Sequence, residues 1–79
     1  MTDEDELLEA VREAWAETLG IDAEDVPVDQ GFFDAGGNSL LLLLLWEQLN
    51  ELTALELRAT DLFRHPTVGA QVKLLAGEV

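Results

Sequence analysis

The chain has 79 residues, of which 17 are acidic and four basic, giving a net charge of −13, and it contains no cysteine. A single domain of this size buries only about 60% of the surface its unfolded chain exposes, which leaves little room for a deep enzyme cleft. The charge argues against nucleic acid or an anionic membrane as partner and favours proteins with basic patches, while the missing cysteine excludes a disulfide framework, a thiolate metal site and a cysteine nucleophile, and fits a cytoplasmic protein.

The start, "MTDEDELLEAV", is acidic and has no basic segment followed by an apolar run, so it does not read as a signal peptide. Leu7, Leu8, Val11, Trp15 and Leu19 recur at helical spacing and predict a first helix. Thr2 or Asp3 can cap it, acidic residues suit its first turn, and Gly20 is placed to end it. Residues 20–38, "GIDAEDVPVDQGFFDAGGN", predict a long ordered loop, pinned to the core by Ile21, Val26, Phe32 and Phe33. A second helix is expected over Ser39–Leu52, followed by an extended or irregular "TALELRAT" and a single helical turn at "DLFR". His65-Pro66 interrupts the chain, and Thr67 can cap a last helix running through Ala76, with Val68, Val72 and Leu75 inward and Gly77 at its end. The expected architecture is all-α: residues 1–79 as one domain, a small three-to-four-helix bundle with a long ordered loop between helices one and two. Since the chain opens with Met1 and closes after the last helix, it reads as a discrete protein.

The second helix opens on six consecutive leucines, Leu40 to Leu45. That is far short of the roughly 20 apolar residues that a membrane span needs, so the run belongs to a soluble fold. On a wheel of 3.6 residues per turn, Glu47, Gln48, Asn50 and Glu51 mark the wet side. Leu42, Leu45, Trp46, Leu49 and Leu52 lie opposite as core, and Leu41 is at the border. Leu40, Leu43 and Leu44 point with the polar residues, which predicts an exposed apolar patch beside acids, a mark of an interaction surface.

Ser39 follows Gly36-Gly37-Asn38 and opens this helix. Glycine permits close approach of another molecule, and a helix N-terminus offers free N–H groups and partial positive charge, so the position suits a phosphate ester on the serine oxygen. The simpler reading is that Ser39 only caps the helix; the two are compatible, and geometry alone favours the cap. Other chemistries lack their parts. His65 is the single histidine and sits in a turn, no G-x-S-x-G elbow is present, the glycines lack a following G-K-[ST], and "DAEDVPVDQG" misses the calcium-loop spacing. No catalytic constellation and no metal site is expected.

"FFDAGGNSL" resembles the phosphopantetheine attachment motif of acyl and peptidyl carrier proteins, with Phe33, Asp34, Gly36, Gly37, Ser39 and Leu40 at matching positions. "DLFRHPTV" resembles the family's second signature, and the likeness covers nearly the whole chain. The resemblance implies that Ser39 receives 4′-phosphopantetheine from coenzyme A through a separate phosphopantetheinyl transferase, with Asp34, Gly37 and Asn38 forming the cofactor site around it. It implies a non-catalytic monomer whose arm holds an aminoacyl, peptidyl or acyl group as a thioester, partnered by an adenylating or loading enzyme and an acyltransferase or condensing enzyme. Leu40, Leu43, Leu44, Glu47 and Glu51 then form the docking surface, since the second helix is the family's main docking element. Leu44 departs from the family, where an arginine or another polar residue often occupies the fifth position after the serine.

Asn38 after Gly-Gly resembles peptidyl carriers of nonribosomal peptide systems, whereas fatty-acid and many polyketide carriers have aspartate there. This points to an aminoacyl or peptidyl cargo in a nonribosomal or hybrid polyketide pathway. The strong acidity is more typical of fatty-acid-type acyl carriers and supports that branch as the alternative. From a different class, an acidic helical interaction module without a prosthetic group accounts for the patch and the charge but not for both motifs together.

Overall fold

A computed structural model describes residues 4–53 and 56–77. Helix α1 spans Glu4–Leu19, with Glu4, Asp5 and Glu6 in its first turn, where the helix dipole favours carboxylates. The expected caps Thr2 and Asp3 lie outside the described residues. Gly20, at φ 74°, ends the helix as anticipated, and the Ala16 carbonyl accepts from the Gly20 and Ile21 N–H groups at 2.8 and 3.0 Å.

The following loop contains one short 3-10 turn, Ala23–Asp25, that the sequence did not announce. Arg12 donates to the Ala23 carbonyl at 2.8 Å and fastens this turn to α1. Of the four residues expected to pin the loop, Val26 and Phe32 are buried, but Ile21 and Phe33 are not: they are 39% and 44% exposed. Ile21 sits beyond Ala16, the last buried residue of α1. Phe33 follows Phe32, whose N–H donates to the Pro66 carbonyl at 2.8 Å and whose ring meets Trp15 edge-on, so the next side chain is turned outward.

Helix α2 spans Ser39–Glu51 with Leu52 as its C-cap. Leu42, Leu45 and Leu49 are buried as the wheel requires. Leu52 is 43% exposed, a correction to its core placement: the helix ends at Glu51, and Leu52, as its C-cap, lies past the last buried residue of the stripe, Leu49. Trp46 is only half-buried, because its indole N–H is held by the Leu57 carbonyl at 2.8 Å. Gln48 and Asn50, expected on the wet side, are half-buried and bond inward. Gln48 donates to the Thr18 hydroxyl at 3.0 Å, and Asn50 Oδ1 accepts from the Leu57 N–H at 3.1 Å. The amide groups thus tie α2 to α1 and to the segment leading into the next helix.

Helix α3, Ala59–Arg64, begins two residues before the expected "DLFR" turn, because Asp61 Oδ2 accepts the Arg58 N–H at 2.9 Å and extends the helical start. Helix α4, Val68–Leu75, is capped by Thr67, whose hydroxyl accepts from the Ala70 N–H at 3.1 Å. Val68, Val72 and Leu75 face inward, and Gly77 at φ 77° follows the helix end. Helix α1 packs against α2 and α4, and α2 against α3, giving the all-α bundle with its long ordered loop. Among the described residues Gln71 is the one buried polar side chain. It accepts from the Trp15 indole at 2.8 Å and donates to the His65 carbonyl at 3.0 Å, so its burial leaves neither end unpaired. No described helix is long and apolar enough to cross a membrane.

Candidate functional site

The site begins with a tight turn over residues 32–37. The Phe32 carbonyl accepts from the Ala35 and Gly37 N–H groups at 3.2 and 3.0 Å, and Gly31 O also accepts from Ala35 at 3.0 Å. Gly36 has φ 105°, a conformation that L side chains rarely adopt. Gly37 is required for space: a Cβ at this position would lie 2.8 Å from Phe32 Cζ and closer still to Cδ2 and Cε2 of that ring.

The turn delivers Asn38, not Ser39, to the cap position. Asn38 is extended at φ −141° and ψ 179°, and its Oδ1 accepts from the Leu41 N–H at 2.9 Å. This corrects the capping reading of Ser39. Asparagine caps at least as well as serine, and it reaches the third N–H of the helix from one residue earlier. Ser39 is therefore the first helical residue, exposed, with its hydroxyl free of capping duty. The Leu41 N–H is taken by Asn38, and the first-turn N–H groups of Ser39 and Leu40 have no helical acceptor. Asp34 is exposed on the same turn, with no hydrogen-bond partner among the described residues.

Helix α2 carries the predicted patch outward. Leu40, Leu43 and Leu44 are 69%, 46% and 44% exposed, and Glu47 and Glu51 continue the same face at spacings of three and four residues. Full burial of a leucine contributes about 1.5–3 kcal/mol, so these three return only part of that to stability. Leu41 is half-buried, as its border position implied.

One feature was not legible in the sequence. Phe33 stacks on Phe63 of α3, with ring centroids 6.0 Å apart and planes at 25°, and both rings are about half exposed, at 44% and 53%. The only available signal was the pair Phe32-Phe33, since two successive residues of a tight turn cannot both face the core.

Residues 9–75 match the model of the phosphopantetheine attachment site family. The chain belongs to this family. Its members carry covalently attached 4′-phosphopantetheine, and as a class they are generally non-catalytic. The chain is a carrier domain of the kind found in polyketide synthases and nonribosomal peptide synthetases, whose carriers work with synthetase partner enzymes. It is 47% identical to polyketide synthase GfsA of Streptomyces halstedii over 92% of this chain. It is 40% identical to a linear gramicidin synthase of Brevibacillus parabrevis over 87% of this chain. The chain spans 1% of the length of each of these two synthases. A solved structure of a free-standing peptidyl carrier protein from Acinetobacter baumannii superposes with a TM-score of 0.87 at 30% identity, covering 96% of this chain and 95% of that one. A nonribosomal peptidyl carrier domain superposes with a TM-score of 0.72 at 32% identity, over 94% and 90% of the two chains. Family membership favours the carrier over the interaction module without a prosthetic group.

Proposed function

We propose that this is a discrete, single-domain, cytoplasmic carrier protein that bears its prosthetic arm on Ser39 and has no catalytic residue of its own. The observation that carries this reading is the relief of Ser39 from capping by Asn38 Oδ1 at the exposed start of α2. The residues fit the group: a phosphodiester on Ser39 Oγ would meet the positive dipole end of a 13-residue helix, where the first-turn N–H groups of Ser39 and Leu40 have no helical acceptor. Gly36 and Gly37 put no side chain in the approach. In loading, Ser39 Oγ attacks the phosphorus of coenzyme A that carries the pantetheine. Its proton passes to a base on the phosphopantetheinyl transferase, the new Oγ–P bond forms, and the bond to the adenosine 3′,5′-diphosphate leaving group breaks. The bound arm supplies the thiol, and hence the thioester chemistry, that this cysteine-free chain lacks.

The rest of the chain's work is recognition. Leu40, Leu43 and Leu44 offer apolar contact to the transferase, to an adenylating or loading enzyme and to an acyltransferase or condensing enzyme. Glu47 and Glu51 lie beside them for basic residues, where rim charges set association rate and specificity more than affinity. Asp34, Gly37 and Asn38 shape the turn around the serine, and the carrier acts as a monomer. The likeness to a free-standing peptidyl carrier over 96% of this chain supports a discrete protein with an aminoacyl or peptidyl cargo, in a nonribosomal or hybrid polyketide pathway. The second reading, a polyketide-type acyl cargo, is favoured by the net charge of −13 and by the 47% identity to a polyketide synthase segment. Loading the protein with a transferase, offering it separately to adenylating enzymes with amino acids and to acyltransferases with acyl-coenzyme A, and weighing the product tests both. A mass gain only with the acyltransferases contradicts the peptidyl cargo.

A further inference from the structure

Phe32 stands at the meeting point of two sets of contacts. On the core side its N–H donates to the Pro66 carbonyl at 2.8 Å, and its ring meets Trp15 at 5.0 Å and 88°. Trp15 donates to Gln71 at 2.8 Å, and Gln71 donates to the carbonyl of His65, the residue before Pro66, at 3.0 Å. The contacts close a circuit from Phe32 through Trp15, Gln71 and the His65-Pro66 pair back to Phe32, so this residue is fixed from α1, from α4 and from the turn between α3 and α4.

On the other side Phe32 governs the turn that ends at the serine. Its carbonyl takes the Gly37 N–H at 3.0 Å, and its ring occupies the space a Cβ on Gly37 would need. Gly37 is followed by Asn38, the cap, and then by Ser39. A loop end without such a stop wanders; here backbone bond and ring together hold the last residue before the cap against a rigid core.

We propose that Phe32 is a positioning residue for loading: it sets Ser39 Oγ in place by seating Gly37 on its ring. This rests on Ser39 being the attachment point. A residue that only stabilises the bundle lowers the folded fraction, which raises the apparent KM of the transferase for the carrier and leaves kcat alone. A residue that positions the nucleophile lowers kcat and leaves KM alone, because the docking face of α2 is intact.

The test is steady-state loading by a phosphopantetheinyl transferase with coenzyme A, using the full chain as varied substrate, with circular dichroism at the assay temperature giving the folded fraction. Phe32→Leu is expected to lower kcat about tenfold at unchanged KM. Gly37→Ala, which forces a methyl group against the ring, is expected to lower kcat as well, and the loss in Gly37→Ala combined with Phe32→Leu to be smaller than the product of the two single losses, since the smaller side chain makes room. If Gly37→Ala does not fold, the Phe32→Leu kinetics decide alone. Wild-type kcat in Phe32→Leu, or a change in KM only, overturns the proposal. Failure of the unaltered chain to load, or loading of Ser39→Ala, overturns instead the assignment of Ser39 on which it rests.

Discussion

The Trp15 indole donates to Gln71 Oε1 at 2.8 Å, joining residues 56 positions apart on α1 and α4. Because Gln71 also bonds the His65 carbonyl, its amide, the one buried polar side chain among the described residues, fastens α1 to the turn before α4. Gln71→Leu keeps the volume but leaves the buried Trp15 indole N–H without a partner and removes the part-buried bond to the His65 carbonyl. The unpaired indole alone costs about 1–3 kcal/mol, against a total stability of only about 5–10 kcal/mol for a chain of this size. Urea denaturation should show a lower midpoint at unchanged slope. A midpoint equal to that of the wild type contradicts the role given to Gln71.

Asn38 and Ser39 separate capping from chemistry, and the two can be told apart by stability. Asn38→Ala removes the side chain that takes the Leu41 N–H, and should cost about 1 kcal/mol. Ser39→Ala should cost less than about 0.5 kcal/mol, since it changes an exposed first-turn residue that bonds to no cap partner. Thermal melts of the two variants check this. A larger loss in Ser39→Ala than in Asn38→Ala contradicts the assignment of the cap.

The outward leucines should matter to partners and little to folding. Leu44→Arg replaces a side chain that is 44% exposed, and should shift stability by less than about 0.5 kcal/mol while raising the loading enzyme's KM. Unfolding of the variant shows that Leu44 is core; unchanged loading shows that the patch is idle with that partner. Phe63→Ala breaks a stack worth about 0.5–1.5 kcal/mol beyond the area it buries, a loss that thermal melts should register.

With 17 acidic residues against four basic ones, association with a basic partner should be steered by charge. Raising salt from about 0.05 M to about 0.5 M should slow association roughly tenfold without abolishing it, because the apolar contacts are not screened. Stopped-flow measurement gives the rate. Rates independent of salt contradict a steering role for the acidic surface.

Helices α1 and α4 were legible because their apolar residues recur at helical spacing and their ends carry Gly20, Thr67 and Gly77. The serine turn was legible as a motif. What the sequence hid depended on where neighbours reach. A helical wheel gives the direction of Leu52 but not the end of the stripe that would have covered it. It gives Gln48 and Asn50 a polar side without showing that Thr18 and Leu57 stand there to receive them. Phe32 and Phe33 carry the same side chain, and only the bond from Phe32 to Pro66 decides which of them enters the core.

The central claim is that Ser39 carries the arm, and the most direct measurement is peptide mass spectrometry of the chain after incubation with coenzyme A and a phosphopantetheinyl transferase. The expected result is one added phosphopantetheinyl group on the peptide containing Ser39, and none anywhere in Ser39→Ala. No added group, or one that persists in Ser39→Ala, contradicts the account.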